Sequence, residues 1–152
     1  MPSDALKLWV VLARSYHAVA ARAEAHARDH ELTIAEFGVL EALFHAGPTL
    51  LGELQKQLLV SSGGVTWLVD RLEHRGLVER AACPEDRRAR YAQLTDSGRR
   101  FIGRIFPEHG DVIRQAFTEL TITEQRELTA LLRKLGRGVA QTAEAPAAGK
   151  AR

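Results

Sequence analysis

Apolar residues recur at spacings of three and four along most of the chain, and this periodicity predicts helices almost throughout. Leu6, Trp9, Val10, Ala13, His17 and Ala20 mark a first helix, capped by Ser3 and running to about Arg28. From Leu8 to Ala13 the run LWVVLA is apolar on nearly every side. Such a helix must be covered all round, and a small chain does this best with a second copy of itself, which predicts a homodimer. Thr33 and Glu36 form a capping box that opens a second helix with Phe37, Leu40 and Leu43 inward, stopped by Gly47 and Pro48. A third helix spans Leu51 to Leu58. A fourth opens after Val60-Ser61-Ser62, places Val65, Leu68, Val69 and Leu72 on one face, and ends at Gly76. Leu77 to Ala81 and Arg90 to Leu94 alternate in polarity on either side of CPEDRRA and predict an antiparallel hairpin. A helix from near Thr95, kinked or interrupted at Pro107, reaches about Leu120. The last helix, opened by Thr121 or Thr123 with Glu124, carries Leu128, Leu131, Leu132 and Leu135 to Gly136, and 143–152 read as a disordered tail.

Two helices joined by a short turn and followed by a hairpin describe a helix-turn-helix with a wing. The fold class is thus mainly α with a small β-hairpin: a winged helix-turn-helix domain at about 33–100, flanked by dimerisation helices at about 3–28 and 108–140. At 152 residues the chain fits one unit, 1–142, plus its tail. A lone cysteine, Cys83, excludes an internal disulfide and a cysteine-based zinc finger. No stretch approaches the roughly 20 apolar residues of a membrane span, and no leader pattern opens the chain, so a cytoplasmic location is expected.

Charge becomes informative when mapped. The formal net charge is only +2, yet between Arg71 and Arg104 nine arginines stand against five acids. That window is +4, and the remainder carries −2. Clustered cations on a mildly acidic scaffold are the distribution that counterion release rewards on a phosphate backbone. The fourth helix has a matching feature in its first turn, Gly63 and Gly64. Each costs about 1 kcal/mol of helix stability relative to alanine, which makes sense where something approaches that turn closely. A helix start also presents free N–H groups to phosphates or base edges.

The stretch from Leu51 to Thr95, with DRLEHRGLV at 70–78 and a wing signature at Asp86, Arg88, Leu94 and Thr95 continuing into Asp96, Ser97 and Gly98, resembles the MarR family of bacterial transcription regulators. The likeness extends over about Leu6 to Ala140. It implies dimers whose first and last helices interleave, a recognition helix in the major groove, a wing in the minor groove, and a near-palindromic operator on double-stranded DNA. By position, Ser61, Ser62, Gly63, Gly64, Thr66 and Trp67 fall in the recognition helix's amino-terminal half, with Ser62 and Thr66 as hydrogen-bond donors. Arg71 would contact backbone one turn later, Arg88 matches the minor-groove arginine braced by Asp86, and Arg87 and Arg90 would meet phosphates. Trp67 departs from a generic reader because an indole makes no bidentate contact with a base pair; it packs either on DNA or back against the hairpin.

Many proteins of this family release DNA when a small aromatic enters a cleft between dimerisation helices and winged helix, which implies a repressor. Here Trp9, Ala13, Tyr16, His17, Phe37, Leu40 and His45 are the candidate lining for a phenolic or quinone-like effector. Cys83 near Arg87 and Arg88 is a second, redox candidate. A winged-helix module for protein partners is the competing reading of the same surface. His26 and His30, an i,i+4 pair with Glu24 nearby, suit a metal on one helix face, but without a third ligand they are read as solvated surface. No metal, cofactor or catalytic residue is assigned, since no nucleophile elbow or phosphate loop is present.

Overall fold

A computed structural model describes residues 3–58, 61–86 and 88–144. Arg87 and the tail residues 145–152 lie outside them. The elements are α1 (Asp4–Asp29), α2 (Ile34–Ala46), β1 (Thr49–Leu50), α3 (Leu51–Leu58), α4 (Ser62–His74), β2 (Val78–Ala82), β3 (Arg90–Leu94), α5 (Asp96–Ala116) and α6 (Ile122–Glu144). They fall into two compact units, Met1–Arg114 and Gln115–Arg152. No helix among the described residues is long and apolar enough to cross a membrane.

Local chemistry sets most boundaries. The Ser3 side chain accepts the Leu6 N–H and opens α1. At α2 both arms of the capping box form: Thr33 Oγ1 accepts the Glu36 N–H at 3.1 Å, and Glu36 Oε2 accepts the Thr33 N–H at 2.8 Å. Helix α4 ends in a Schellman turn, in which Gly76 adopts a φ of 69° and the Leu77 N–H donates to the Leu72 carbonyl at 3.0 Å. The same turn closes α1 with a residue unsuited to it, Glu31 at a φ of 58°, and the Leu32 N–H donates to the Ala27 carbonyl.

The first unit is built around one core. Phe37, Leu40 and Leu43 of α2, Leu54 of α3, Val69 and Leu72 of α4, and Ile102 and Ile105 of α5 are all buried in it. Each such side chain contributes about 1.5–3 kcal/mol by leaving water. Two strands pair as the alternation predicts, Val78 opposite Leu94 through to Ala82 opposite Arg90. The sheet has a third strand that the pattern does not reveal: β1 pairs with β3, Thr49 opposite Ala92 and Leu50 opposite Tyr91, in the order β1-β3-β2. Two residues are too short a run to show an alternation.

The link from sheet to α5 explains the LTDSG run. Thr95 Oγ1 donates to the Gly76 carbonyl at 2.7 Å and accepts the Gly98 N–H at 2.9 Å. At Gly98 a Cβ would lie 1.8 Å from the Leu77 carbonyl oxygen, so no side chain fits. Pro107 lies inside α5 without ending it.

Two expectations need correction, and one open alternative is decided. In the second unit α6 continues through Gly136 and Gly138 to Glu144, so 143 and 144 belong to a helix rather than a tail. Its start is Thr121, whose backbone N–H donates to Glu124 Oε2 at 2.7 Å, not Thr123. The His26 face is not solvated: His26 is 9% exposed and its Nδ1 lies 3.1 Å from His109 Nδ1 of α5. Burial, and then the neighbouring His26, hold His109 below the ordinary histidine range.

Most of α1 is bare. Its buried residues are Ala23, His26 and Ala27 alone, and Leu6, Leu8, Trp9, Val10, Val11 and Tyr16 are exposed. Helix α6 likewise exposes Ile122, Leu128, Leu131, Leu132, Leu135 and Val139. Monomeric proteins seldom leave such stretches to water.

Candidate nucleic-acid interface

Helix α4 follows α3 in the helix-turn-helix arrangement. Ser61 is its N-cap, and its Oγ accepts the Gly64 N–H at 3.0 Å; Ser62 is the first helical residue. Ser61, Gly63, Thr66 and Trp67 are exposed, and Gly64 is partly so. A Cβ on Gly63 would meet nothing within 4 Å. Packing within the chain therefore does not require that glycine, and its cost to the helix is left for an external contact to justify. The buried face of the same helix carries Val65, Leu68, Val69 and Leu72 into the core, which fixes the first turn outward.

Trp67 is 53% exposed, so the alternative in which it turns back as core is excluded. It stacks on its own helix, the Arg71 guanidinium standing 4.9 Å from the ring centroid. Arg71 is held from its other side as well, its Nε 2.7 Å from Oε1 of the fully buried Glu36. Burial alone would raise the Glu36 pKa; the Thr33 backbone N–H, then Arg71 and the Thr33 hydroxyl outweigh it and hold the carboxyl below its ordinary value. Arg71 thus braces α4 against the start of α2, a role its spacing did not reveal.

A second brace was also missed. Arg80 of β2 reaches α4, with Nη2 2.6 Å from Asp70 Oδ1, Nη1 paired with Glu73, and a contact to the Thr66 carbonyl at 3.4 Å. It explains two acids beside a basic surface: Asp70 and Glu73 pin the wing to the reading helix. Across the hairpin, Gln93 Nε2 donates to Glu79 Oε1 at 2.7 Å.

The wing tip is organised by Asp86, whose Oδ1 accepts the Arg88 N–H at 2.9 Å and whose carbonyl accepts the Ala89 N–H at 3.1 Å. Arg88 and Arg90 are exposed, on either side of the turn into β3, and Arg90 Nη1 donates to the Ala89 carbonyl. Arg87 lies outside the described residues. Cys83 is 8% exposed, in contrast to the accessible setting a redox sensor needs. Its neighbour is Tyr91, whose phenol is raised above its ordinary value by the Cys83 sulfur, through charge repulsion and then a hydrogen bond.

The seven candidate effector residues do not gather at one open cleft. Phe37 and Leu40 are core, at 1% and 0% exposure, and Phe37 packs against His26 and His109. Trp9, Tyr16 and His17 are exposed and Ala13 partly so, along the bare part of α1, with the Tyr16 and His17 rings edge to face at 5.7 Å. His45, at the end of α2, is exposed and touches Phe44 and Phe106.

An outward glycine-opened helix start, pinned to an arginine-bearing hairpin, is suited to an anionic, grooved partner, and known proteins place it. Residues 32–89 match the MarR family model. Over 136 residues, 90% of this chain and 94% of the relative, the sequence is 36% identical to the HTH-type transcriptional regulator MhqR of Bacillus subtilis (strain 168). A MarR family transcriptional regulator from Streptomyces coelicolor, solved in complex with DNA, superposes with a TM-score of 0.84 at 27% identity, over 91% of this chain and 89% of that one. BpsR of Bordetella bronchiseptica, whose DNA binding is regulated by 6-hydroxynicotinic acid, superposes with a TM-score of 0.77 at 28% identity, over 86% and 98% of the two chains. The chain belongs to the MarR family of transcriptional regulators.

Proposed function

We propose that this chain is a homodimeric repressor that grips a near-palindromic operator with α4 and the wing and is released by a small aromatic effector. The observation that carries DNA binding is the first turn of α4: it is exposed, opened by a glycine with free space around it, and locked to an arginine-bearing hairpin by Arg80. In this reading Ser61, Ser62, Gly63, Gly64, Thr66 and Trp67 meet the major groove, and the exposed Arg88 and Arg90 meet the adjoining minor groove and phosphates; Arg87, outside the described residues, is added from the sequence alone. The Streptomyces coelicolor relative solved with DNA supports the same use of the fold.

A second copy is the natural cover for the apolar length of α1, and α6 offers another bare stripe for it. An aromatic effector is favoured by the exposed Trp9, Tyr16 and His17 rings, and BpsR responds to an aromatic acid. Phe37 and Leu40 are set aside from the lining because the core already encloses them.

A mobility-shift titration on DNA from upstream of its own gene tests the reading. Wild type should shift that duplex at concentrations far below those needed for a random one, and 6-hydroxynicotinate or a simple phenol should reverse the shift. Equal affinity for both duplexes rejects an operator-binding repressor; an unreleased specific complex rejects the aromatic effector.

A further inference from the structure

One cluster in the first unit is unused by the DNA-binding reading. His26 and His30 lie one turn apart near the end of α1, and Glu108 of α5 faces both. Glu108 Oε2 is 3.8 Å from His26 Nε2 and 3.4 Å from His30 Nε2, and the three donor atoms all lie within 4.8 Å of one another. A tetrahedral cation bound at about 2.0–2.1 Å holds its donors about 3.3 Å apart, so small rotations of the side chains would close the set. Glu108 and His30 are the accessible members and have room to make them.

A surface ion pair would account for Glu108 and His30. It does not account for His26, which is 9% exposed and whose Nε2 is buried with no hydrogen-bond partner. A buried nitrogen without a partner is costly, and it is directed at the other two donors. Its far side is already fixed: His26 Nδ1 meets His109 Nδ1 at 3.1 Å, and the His109 ring packs on Phe37 at 4.2 Å between centroids, tilted by 33°. If His26 carries its proton on Nδ1 and donates to His109, Nε2 presents a lone pair to the cluster. Ligating histidines in metal sites are oriented in this way, with one nitrogen anchored and the other on the metal.

We propose that His26 Nε2, His30 Nε2 and Glu108 Oε2 bind a zinc-type divalent cation, with water in the remaining position, and that the cation staples the end of α1 to α5. Two imidazoles and one carboxylate suit zinc and its first-row neighbours and suit magnesium poorly, since magnesium takes all-oxygen sites. The site stands apart from α4 and the wing, and its presence does not depend on whether the chain binds DNA.

The test uses the full chain, stripped with a chelator, dialysed, and titrated with zinc ion against a chromophoric competitor. Cobalt serves as a second probe, whose visible absorption reports four-coordinate geometry. Wild type should bind one zinc per chain and give the cobalt bands. His30→Ala and Glu108→Gln should each weaken zinc by at least about tenfold, while His74→Ala, on the exposed side of α4 and outside the cluster, should bind as wild type does. Because His30 and Glu108 lie outside the core, metal-free melting curves should match wild type and separate a lost ligand from a lost fold. Unchanged affinity in both ligand variants, or no zinc binding by folded wild type at micromolar concentration, overturns the proposal.

Discussion

Single residues show where fold and function make opposite demands. Gly63 weakens the helix that carries it, and nothing in the chain fills the space a methyl would take. Gly63→Ala should therefore raise stability by about 1 kcal/mol in a denaturant melt and at the same time weaken binding to the protein's own upstream duplex. A variant both more stable and equally tight would show that nothing approaches that turn. Glu36 is governed by fold alone. Its carboxyl is held below the ordinary value, so its stabilisation is complete above the unfolded pKa of about 4.3 and is lost as pH falls through the lower folded value. Glutamine can keep the capping box but cannot titrate. Glu36→Gln should lower stability at neutral pH, where the pair with Arg71 is lost, and flatten the acid limb of the stability curve; an unchanged acid limb would assign that limb to other carboxylates.

Among elements, those whose determinants are local were legible in the sequence. Ser3, Thr33 with Glu36, Ser61 and Gly76 each make the caps their residue types suggest, because a cap is decided within four residues. Long-range partners set the rest. Strand β1 exists only because β3 lies beside it. Arg71 and Arg80 read as part of a cationic surface until Glu36, 35 residues away, and Asp70 and Glu73 on the facing helix are seen to hold them. His26 and His30 lacked a third ligand in the sequence because it sits on α5. At the junction of hairpin and α5 the two backbones approach too closely for a side chain. Gly98→Ala should cost about 3 kcal/mol or more, since the atom in the way is the Leu77 carbonyl rather than a side chain that can rotate. A denaturant midpoint close to that of wild type would mean the junction yields more readily than its geometry implies.

For the molecule as a whole, the small net charge hides a division of labour. The arginine-rich window from 71 to 104 contains the cationic part of the candidate interface, but Arg71 and Arg80 are held by Glu36, Asp70 and Glu73, so the reading surface is narrower than a charge count suggests. The bare apolar faces of α1 and α6 make a second copy the proposed completion of the fold, and two copies bring two wings to one duplex. Ion release then gives the account its sharpest test, because each lost contact to the phosphate backbone lowers the salt dependence by a known increment. The measurement is the slope of log affinity against log salt for the upstream duplex, by fluorescence anisotropy, in wild type and Arg90→Ala, the exposed arginine assigned to phosphate. Wild type, with two chains per duplex, should give a steep slope, and Arg90→Ala one shallower by about two. A wild-type slope near zero, or identical slopes for the two proteins, would rule out a wing that grips the duplex through its phosphates.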